Sequence, residues 1–366
     1  MKAFNKLYNR YESYLEDFWG RRDNELRFRR TFSIFGCLVE LSSNDEQVLT
    51  VVDHSAPLYS TAPPVERPVS EKRVSPIGVE TSGNDRGVFH IRFVVRPPAH
   101  DPGPPPEHPF EHIQYTGEGS WINLLFGAWG NIYADLRAGI ATAVITPQLA
   151  ARPDLISRGL LNTLLNNYLT TNGFAMFHAT GLVRNGRLMM LMAPHNSGKS
   201  TTALRLTLSG KFQLLSDSQI YVTNTARGLQ LTGFPVGRGK LRRDMLSHFP
   251  EIHPLLTPEQ VRDETKYVLD LHQLNPSLVC HHAVYPTHID LCLLKRIGQP
   301  ETFIQEATFE ETWEVIMLNS LHYDNSDVWE ENLRLIEPLV KRARLFHLEI
   351  GTEGDGIVEA ILGIGN

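Results

Sequence analysis

Cysteine is scarce in this chain. Cys37, Cys280 and Cys292 are the three in 366 residues. An odd set so widely spaced makes no disulfide framework, and reduced thiols in a cytoplasmic protein are expected. Long apolar runs are missing too. No stretch reaches the roughly 18 apolar residues that a membrane-spanning helix needs. Residues 1–30 are charged and aromatic, with no apolar core segment, so no secretory signal is expected. A basic surplus is also absent. Lys and Arg total 35 against 41 Asp and Glu, a formal net charge of -6, which leaves no electrostatic footprint for nucleic acid. Neither a membrane nor a nucleic-acid partner is expected. No internal repeat interrupts the chain. What remains has the composition of a soluble globular protein, 42% hydrophobic and 21% charged, long enough for two or three domains.

The first half reads as mostly β. Residues 4–30 carry Phe4, Leu7, Tyr8, Tyr11, Leu15, Phe18 and Trp19 at three- and four-residue spacing, which predicts an amphipathic helix. Residues 31–41, 47–53 and 87–95 read as strands, rich in Phe, Ile and Val. Residues 121–146 return to strand character. Proline-rich stretches at 56–76 and 97–109 read as exposed connections.

The second half alternates helix and strand. Leu160, Leu161, Leu164, Leu165, Tyr168 and Leu169 form one stripe of a helix over 158–172, with Gly173 as its stop. Residues 174–184 form a strand or a pair of strands. Asn185-Gly186 signals a tight hairpin, and 187–193 is a continuous apolar strand. A helix is expected over 199–209, a strand over 212–215, a hairpin over 219–232 and a loop over 233–243. A strand at 289–295, helices at 308–321 and 328–342, a strand at 345–350 and a helix at 356–362 complete the reading. It predicts α/β architecture, α+β overall. A β-rich domain over 1–150 precedes a nucleotide-binding domain with a mixed sheet over 151–366.

Residues 193–201 carry the chemistry. Ala193-Pro194-His195-Asn196-Ser197-Gly198-Lys199-Ser200-Thr201 follows the P-loop pattern, with Ala193 in the first glycine place. A buried strand, a small-residue loop and a helix start together turn backbone N–H groups and the helix dipole onto an anion. The cradle is expected from Asn196, Ser197, Gly198, Lys199, Ser200 and Thr201. Lys199 reaches the β- and γ-phosphates, and the Ser200 hydroxyl is placed for Mg²⁺. If Ala193 needed a positive φ, its Cβ would strain the backbone.

Asp217 ends the strand after the P-loop helix. Ligands bind outside the carboxyl ends of such strands, so Asp217 is a candidate for holding Mg²⁺ with Ser200, or for orienting and deprotonating an acceptor hydroxyl. Arg238 and Lys240, in the basic run 237–243, are candidates for the cation that approaches the transferred phosphoryl group from outside the P-loop. The glycines on either side of Arg238 suggest a mobile loop. Cys280, His281, His282, His288 and Cys292 have the residue types for zinc, at a spacing that fits no common structural site.

These residues resemble the HPr kinase/phosphorylase family, and more closely its looser HPr-kinase-related members. The likeness runs from Phe177-His178-Ala179 through the hairpin and P-loop to Leu215-Ser216-Asp217-Ser218. It covers about residues 150–300 and none of the first 140. It implies a PEP carboxykinase-type P-loop fold, with ATP or GTP and Mg²⁺ as cofactors. It implies catalytic roles for His178, Lys199 and Asp217, and more loosely for Arg238 and Lys240. Adjacent aspartates follow the helix and strand in the family; here Asp217 keeps the first place and Ser218 takes the second. The glycine-rich phosphorylase signature is missing, so the resemblance implies a kinase acting on a hydroxyl, serine above all, of a peptide, protein or small molecule. Acceptor recognition is expected in the N-terminal domain, and self-association into a homo-oligomer is left open. Two other readings stand beside the kinase: a catalytically weak nucleotide-binding switch or scaffold, and an NTPase that drives a partner.

Overall fold

A computed structural model describes residues 26–54, 88–108, 111–194, 197–261, 264–320 and 325–364. The chain divides into two compact units. The first takes its described residues from Met1–Ser33, Cys37–Ser55 and Ser82–Leu164. The second takes them from Ile34–Gly36 and Leu165–Asn366.

The first unit is built on a seven-stranded sheet. Its strands are β1 (Phe28–Ile34), β2 (Cys37–Ser43), β3 (Val88–Val95), β4 (Ile113–Glu118), β5 (Trp121–Phe126), β6 (Gly130–Asp135) and β7 (Ile140–Ile145), in the order β1-β2-β3-β7-β6-β5-β4. Alternation sets the faces. Phe89, Ile91 and Phe93, with Ile122, Leu124, Phe126 and Ile132, are fully or nearly fully buried, while Trp121 and Tyr133 stand exposed on the other face.

Two expectations are corrected in this unit, the first only at its end. The helix expected over 4–30 lies mostly outside the described residues, and its last residues belong to β1. Their alternating exposure is the signature of a half-buried strand. Residues 47–53, expected as a strand, open instead as a 3-10 turn, Glu46–Thr50. Asp45 accepts a hydrogen bond from the Gln47 N–H at 2.9 Å and so caps a helical start. Val48, Leu49, Val51 and Val52 are all buried, so they have no solvent face to alternate with.

The second unit centres on a six-stranded mixed sheet in the order β11-β9-β10-β17-β19-β18. Before it run the helix α1 (Asn162–Thr171), preceded by a π-helical turn, and β8 (Phe174–Phe177). Then come β9 (Thr180–Arg184), β10 (Arg187–Met192), α2 (Lys199–Leu208) and β11 (Gln213–Ser216). β12 (Gln219–Thr225), β13 (Gly228–Phe234), β14 (Arg238–Arg242), β15 (Leu256–Val261), β16 (Glu264–Asp270), β17 (His288–Arg296) and β18 (Phe303–Glu306) follow. The chain ends with α3 (Phe309–Asn319), α4 (Ser326–Arg342), β19 (Arg344–Ile350) and α5 (Gly354–Gly363). β10, β17 and β19 are parallel, and β9, β11 and β18 run against their neighbours.

β10 shows why its sequence is apolar throughout. Met189, Leu191 and Ala193 enter the core that contains α2 and α5. Leu188, Met190 and Met192 enter the core on the other face, shared with β8, β12, α3 and α4. A strand covered on both faces has no place for alternating polar residues. Asn185 and Gly186 take φ of 50° and 74°, the left-handed pair that a two-residue hairpin demands.

The basic run 237–243 corrects another expectation. Residues 238–242 are strand β14, paired antiparallel with β16, which in turn pairs with β15. Gly239 and Leu241 are buried against the α2 core, while Arg238, Lys240 and Arg242 alternate to the other face. That period of two is a strand pattern, which the glycines disguise as a loop.

Candidate functional site

The sheet order brings the chemistry to one edge. β10 and β11 both run antiparallel to β9, so they point the same way. Leu191 lies opposite Thr180, and Ser216 lies opposite Gly181. The loop after β10 and Asp217 after β11 therefore leave the sheet at the same edge, where β9 begins.

α2 starts at Lys199 with Gly198 as its N-cap, at φ 101° and ψ 7°. Side chains rarely adopt that conformation, and it turns the chain from loop into helix. Ala193 is under no such demand. The non-glycine residues with positive φ among those described are Phe35 and Asn185, so alanine fits the first glycine place of the motif without strain. The Ser197 hydroxyl donates to the Pro194 carbonyl at 2.7 Å, tying the loop together. Asn196 lies outside the described residues, and Thr201 is half-buried in the first turn of α2.

The Lys199 ammonium folds back onto this loop. It donates to the carbonyls of Ala193 at 2.6 Å and Pro194 at 3.0 Å, and the residue is only 9% exposed. Burial holds its pKa below the ordinary lysine value, against the pull of Asp217 and with a push from Lys266. An ammonium satisfied only by two neutral carbonyls gains when an anion replaces them.

Asp217 is 8% exposed. Its Oδ1 accepts from the Thr180 hydroxyl at 3.1 Å and its Oδ2 from the Lys240 backbone N–H at 3.1 Å. The Ser200 side chain lies close enough to favour the ionised form of this carboxylate. Burial pushes its pKa up from 3.8 to about 6, and Ser200, Lys240 and Thr180 only partly offset that. Ser200 and Asp217, picked out separately by motif and by strand position, thus come to the same end of the sheet. Both present hard oxygen ligands, and Mg²⁺ is commonly held by one or two carboxylates with phosphate oxygens completing its shell. Among the described residues no three His, Cys, Asp or Glu side chains converge. The Cys280–Cys292 group is accordingly not gathered: Cys292 is buried within β17, and the His281 ring packs at 4.8 Å from that of His272.

The other expected residues divide. Lys240 arrives beside Asp217, with its ammonium pKa lowered by burial despite Glu259 and Asp217. Arg238 is held by Glu259 at 3.1 Å, so its charge is already answered. His178 lies two residues before Thr180, at the edge that carries Asp217. It is exposed, and its backbone N–H donates to the Asn319 carbonyl at 2.7 Å. Its bare sequence context, between Phe177 and Ala179, suggests a buried histidine instead.

Thr180 and Lys266 carry no sequence signal of their own. A threonine opening an apolar strand is ordinary, yet Thr180 is 1% exposed and bonds Asp217. Lys266 reaches this neighbourhood because β16 pairs with β14, a pairing hidden once β14 is read as loop.

No family model and no curated protein matches the sequence. Among solved structures, the HPr(Ser) kinase/phosphatase from Coxiella burnetii is similar to this chain at 11% identity. The match covers 52% of this chain and 94% of that one, with a TM-score of 0.27. No helix among the described residues is long and apolar enough to cross a membrane.

Proposed function

We propose that this chain is a kinase of PEP carboxykinase-type P-loop fold, which moves the γ-phosphoryl group of ATP or GTP onto a hydroxyl, serine above all. The observation that carries this reading is the buried Asp217 carboxylate after β11 at the same end of the sheet as Lys199 and Ser200, which open α2 after β10. Phosphoryl transfer asks mainly for positioned charge, and this edge supplies it. Lys199 leaves its loop carbonyls for the β- and γ-phosphates. The N–H groups of residues 197–201 line the β-phosphate. Ser200 and Asp217 would hold Mg²⁺, which neutralises charge on the phosphates. Asp217 is also placed to orient the acceptor hydroxyl and take its proton. Lys240 stands on the outer side of the transferred group, and His178, exposed at the same edge, is placed to meet the acceptor.

The raised pKa of Asp217 gives this reading a pH signature. Below about 6 the carboxyl binds a proton, which removes both the metal ligand and the base. With saturating acceptor, kcat/KM for Mg·ATP, which reports the nucleotide-free chain, falls about tenfold per pH unit below that pKa and levels above it. A pH profile from 4.5 to 8.5 checks this. Flat activity down to pH 5 would put the essential group elsewhere.

We assign acceptor recognition to the first unit. Support comes from Trp121 and Tyr133, 47% and 54% exposed on the outer face of its sheet, since exposed aromatics on a rigid scaffold are common contact residues. The double variant Trp121→Ala/Tyr133→Ala is expected to keep its affinity for Mg·ATP. Its KM for the acceptor should rise about tenfold or more, as loss of a hot-spot contact does. An unchanged acceptor KM would remove these aromatics from recognition.

A further inference from the structure

The six-stranded sheet carries a second cation to the P-loop, on the flank away from Asp217. β17 lies parallel to β10, with Leu293 opposite Met192, so the end of β17 stands level with the loop after β10. Cys292 and Leu294 enter the core that contains α2. Alternation puts Arg296 on that same face, at the N-terminus of α2.

Contact with Gly198 confirms the placement. A Cβ added to Gly198 would lie 3.2 Å from Cδ and 3.5 Å from Cγ of Arg296. The arginine stem therefore already occupies the space over Gly198, the motif's one glycine. Its position opposite Ile350 on β19 gives it no acidic partner across the strand, and no ion pair engages it among the described residues. Arg296 is exposed. An arginine with its stem packed and its charge unanswered, beside a row of helix-terminal N–H groups, is suited to a phosphate.

Sheet order tells which phosphate. In the sequence β11-β9-β10-β17, Asp217 stands two strands to one side of the P-loop and Arg296 one strand to the other. The metal and the acceptor belong to the Asp217 side. We propose that Arg296 binds the α- or β-phosphate, the part of the nucleotide that leaves as the diphosphate. This rests on the nucleotide reading above and assigns one more residue to it. A contact of this kind is present in ATP and in ADP alike, so it strengthens binding of both and contributes little to the transfer step.

The test compares full-length wild type with Arg296→Met, which keeps the stem, and Arg296→Lys, which keeps the charge. Calorimetry measures their affinities for Mg·ATP and Mg·ADP, and thermal melting confirms that each is folded. Arg296→Met is expected to bind both nucleotides about tenfold more weakly, the loss typical of one charge-assisted contact, with part of it recovered in Arg296→Lys. If a folded Arg296→Met, or Arg296→Gln in its place, binds both as wild type does, the assignment is wrong. It is also wrong if ATP weakens while ADP does not, since Arg296 would then serve the γ-phosphate. Wild type that binds neither nucleotide would overturn the nucleotide reading itself, an outcome distinct from either of these.

Discussion

Lys199→Ala is expected to remove measurable binding of Mg·ATP while the protein stays folded. In the nucleotide-free chain the ammonium spends its hydrogen bonds on the Ala193 and Pro194 carbonyls, both within its own loop. Losing them leaves the Pro194 carbonyl to water, but Ala193 is buried, so its orphaned carbonyl costs about 1–3 kcal/mol, which a folded chain can absorb. Nucleotide binding loses its own contacts as well. On the proposed reading, Lys199 brings the P-loop's positive charge to the β- and γ-phosphates, and two charge-assisted contacts go with it. An affinity drop of at least about a hundredfold follows. Lys199→Met, closer in volume, should behave the same way, which separates charge from packing. Wild-type affinity in either folded variant would mean that nucleotide, if bound, lies elsewhere.

Asp217→Asn should do little to binding and much to chemistry. The amide keeps the size of the carboxyl and can still accept from the Lys240 N–H. The Thr180 hydroxyl can rotate to accept from its NH₂. Nucleotide affinity should change little, because Lys199 and the loop amides remain. Phosphoryl transfer should fall by about 10²–10⁴, the range of a lost general base or positioning group.

Stability supplies an independent readout for the same variant. The folded-state pKa of Asp217, about 6, lies above the ordinary 3.8, so the folded chain holds this proton more tightly than the unfolded chain. Ionising the group therefore costs stability as pH rises from about 4 to about 6, and the cost stays constant above that. The shift corresponds to about 2–3 kcal/mol. Asp217→Asn escapes the cost, so it should melt higher than wild type above pH 6 and lose the advantage near pH 4. A variant that is inactive but more stable at neutral pH marks a residue kept for function. If Asp217→Asn is fully active, or is destabilised at pH 7.5, Asp217 is structural.

The residues of the site that sequence reveals are those whose role is set by near neighbours. The stretch 193–201 declares its loop and helix start, Asn185-Gly186 its turn, and Asp217 its place at a strand end, all within about a dozen residues of context. Hidden residues owe their place to partners far along the chain. Thr180 meets Asp217 because β9 lies between β10 and β11. Lys266 comes near Lys199 through the β14–β16 pairing, and Arg296 reaches Gly198 because β17 runs beside β10. Burial misleads in the same way. Residues 47–53 are apolar enough for a strand, but the Asp45 cap starts a 3-10 turn there. Glycines make β14 look like a loop, although its alternating basic residues fit a strand packed on one face.

One experiment reaches the centre of this reading without knowledge of the acceptor. A phosphorus-31 NMR spectrum of ATP is recorded with Mg²⁺ and an equal amount of the full chain at pH 7.5. Three changes are expected: the β and γ resonances shift or broaden, Lys199→Ala abolishes that change, and ADP signals grow slowly in wild type as water substitutes for the acceptor but not in Asp217→Asn. A spectrum indistinguishable from that of Mg·ATP alone would contradict the assignment of residues 193–201 and Asp217 as a phosphoryl-transfer site.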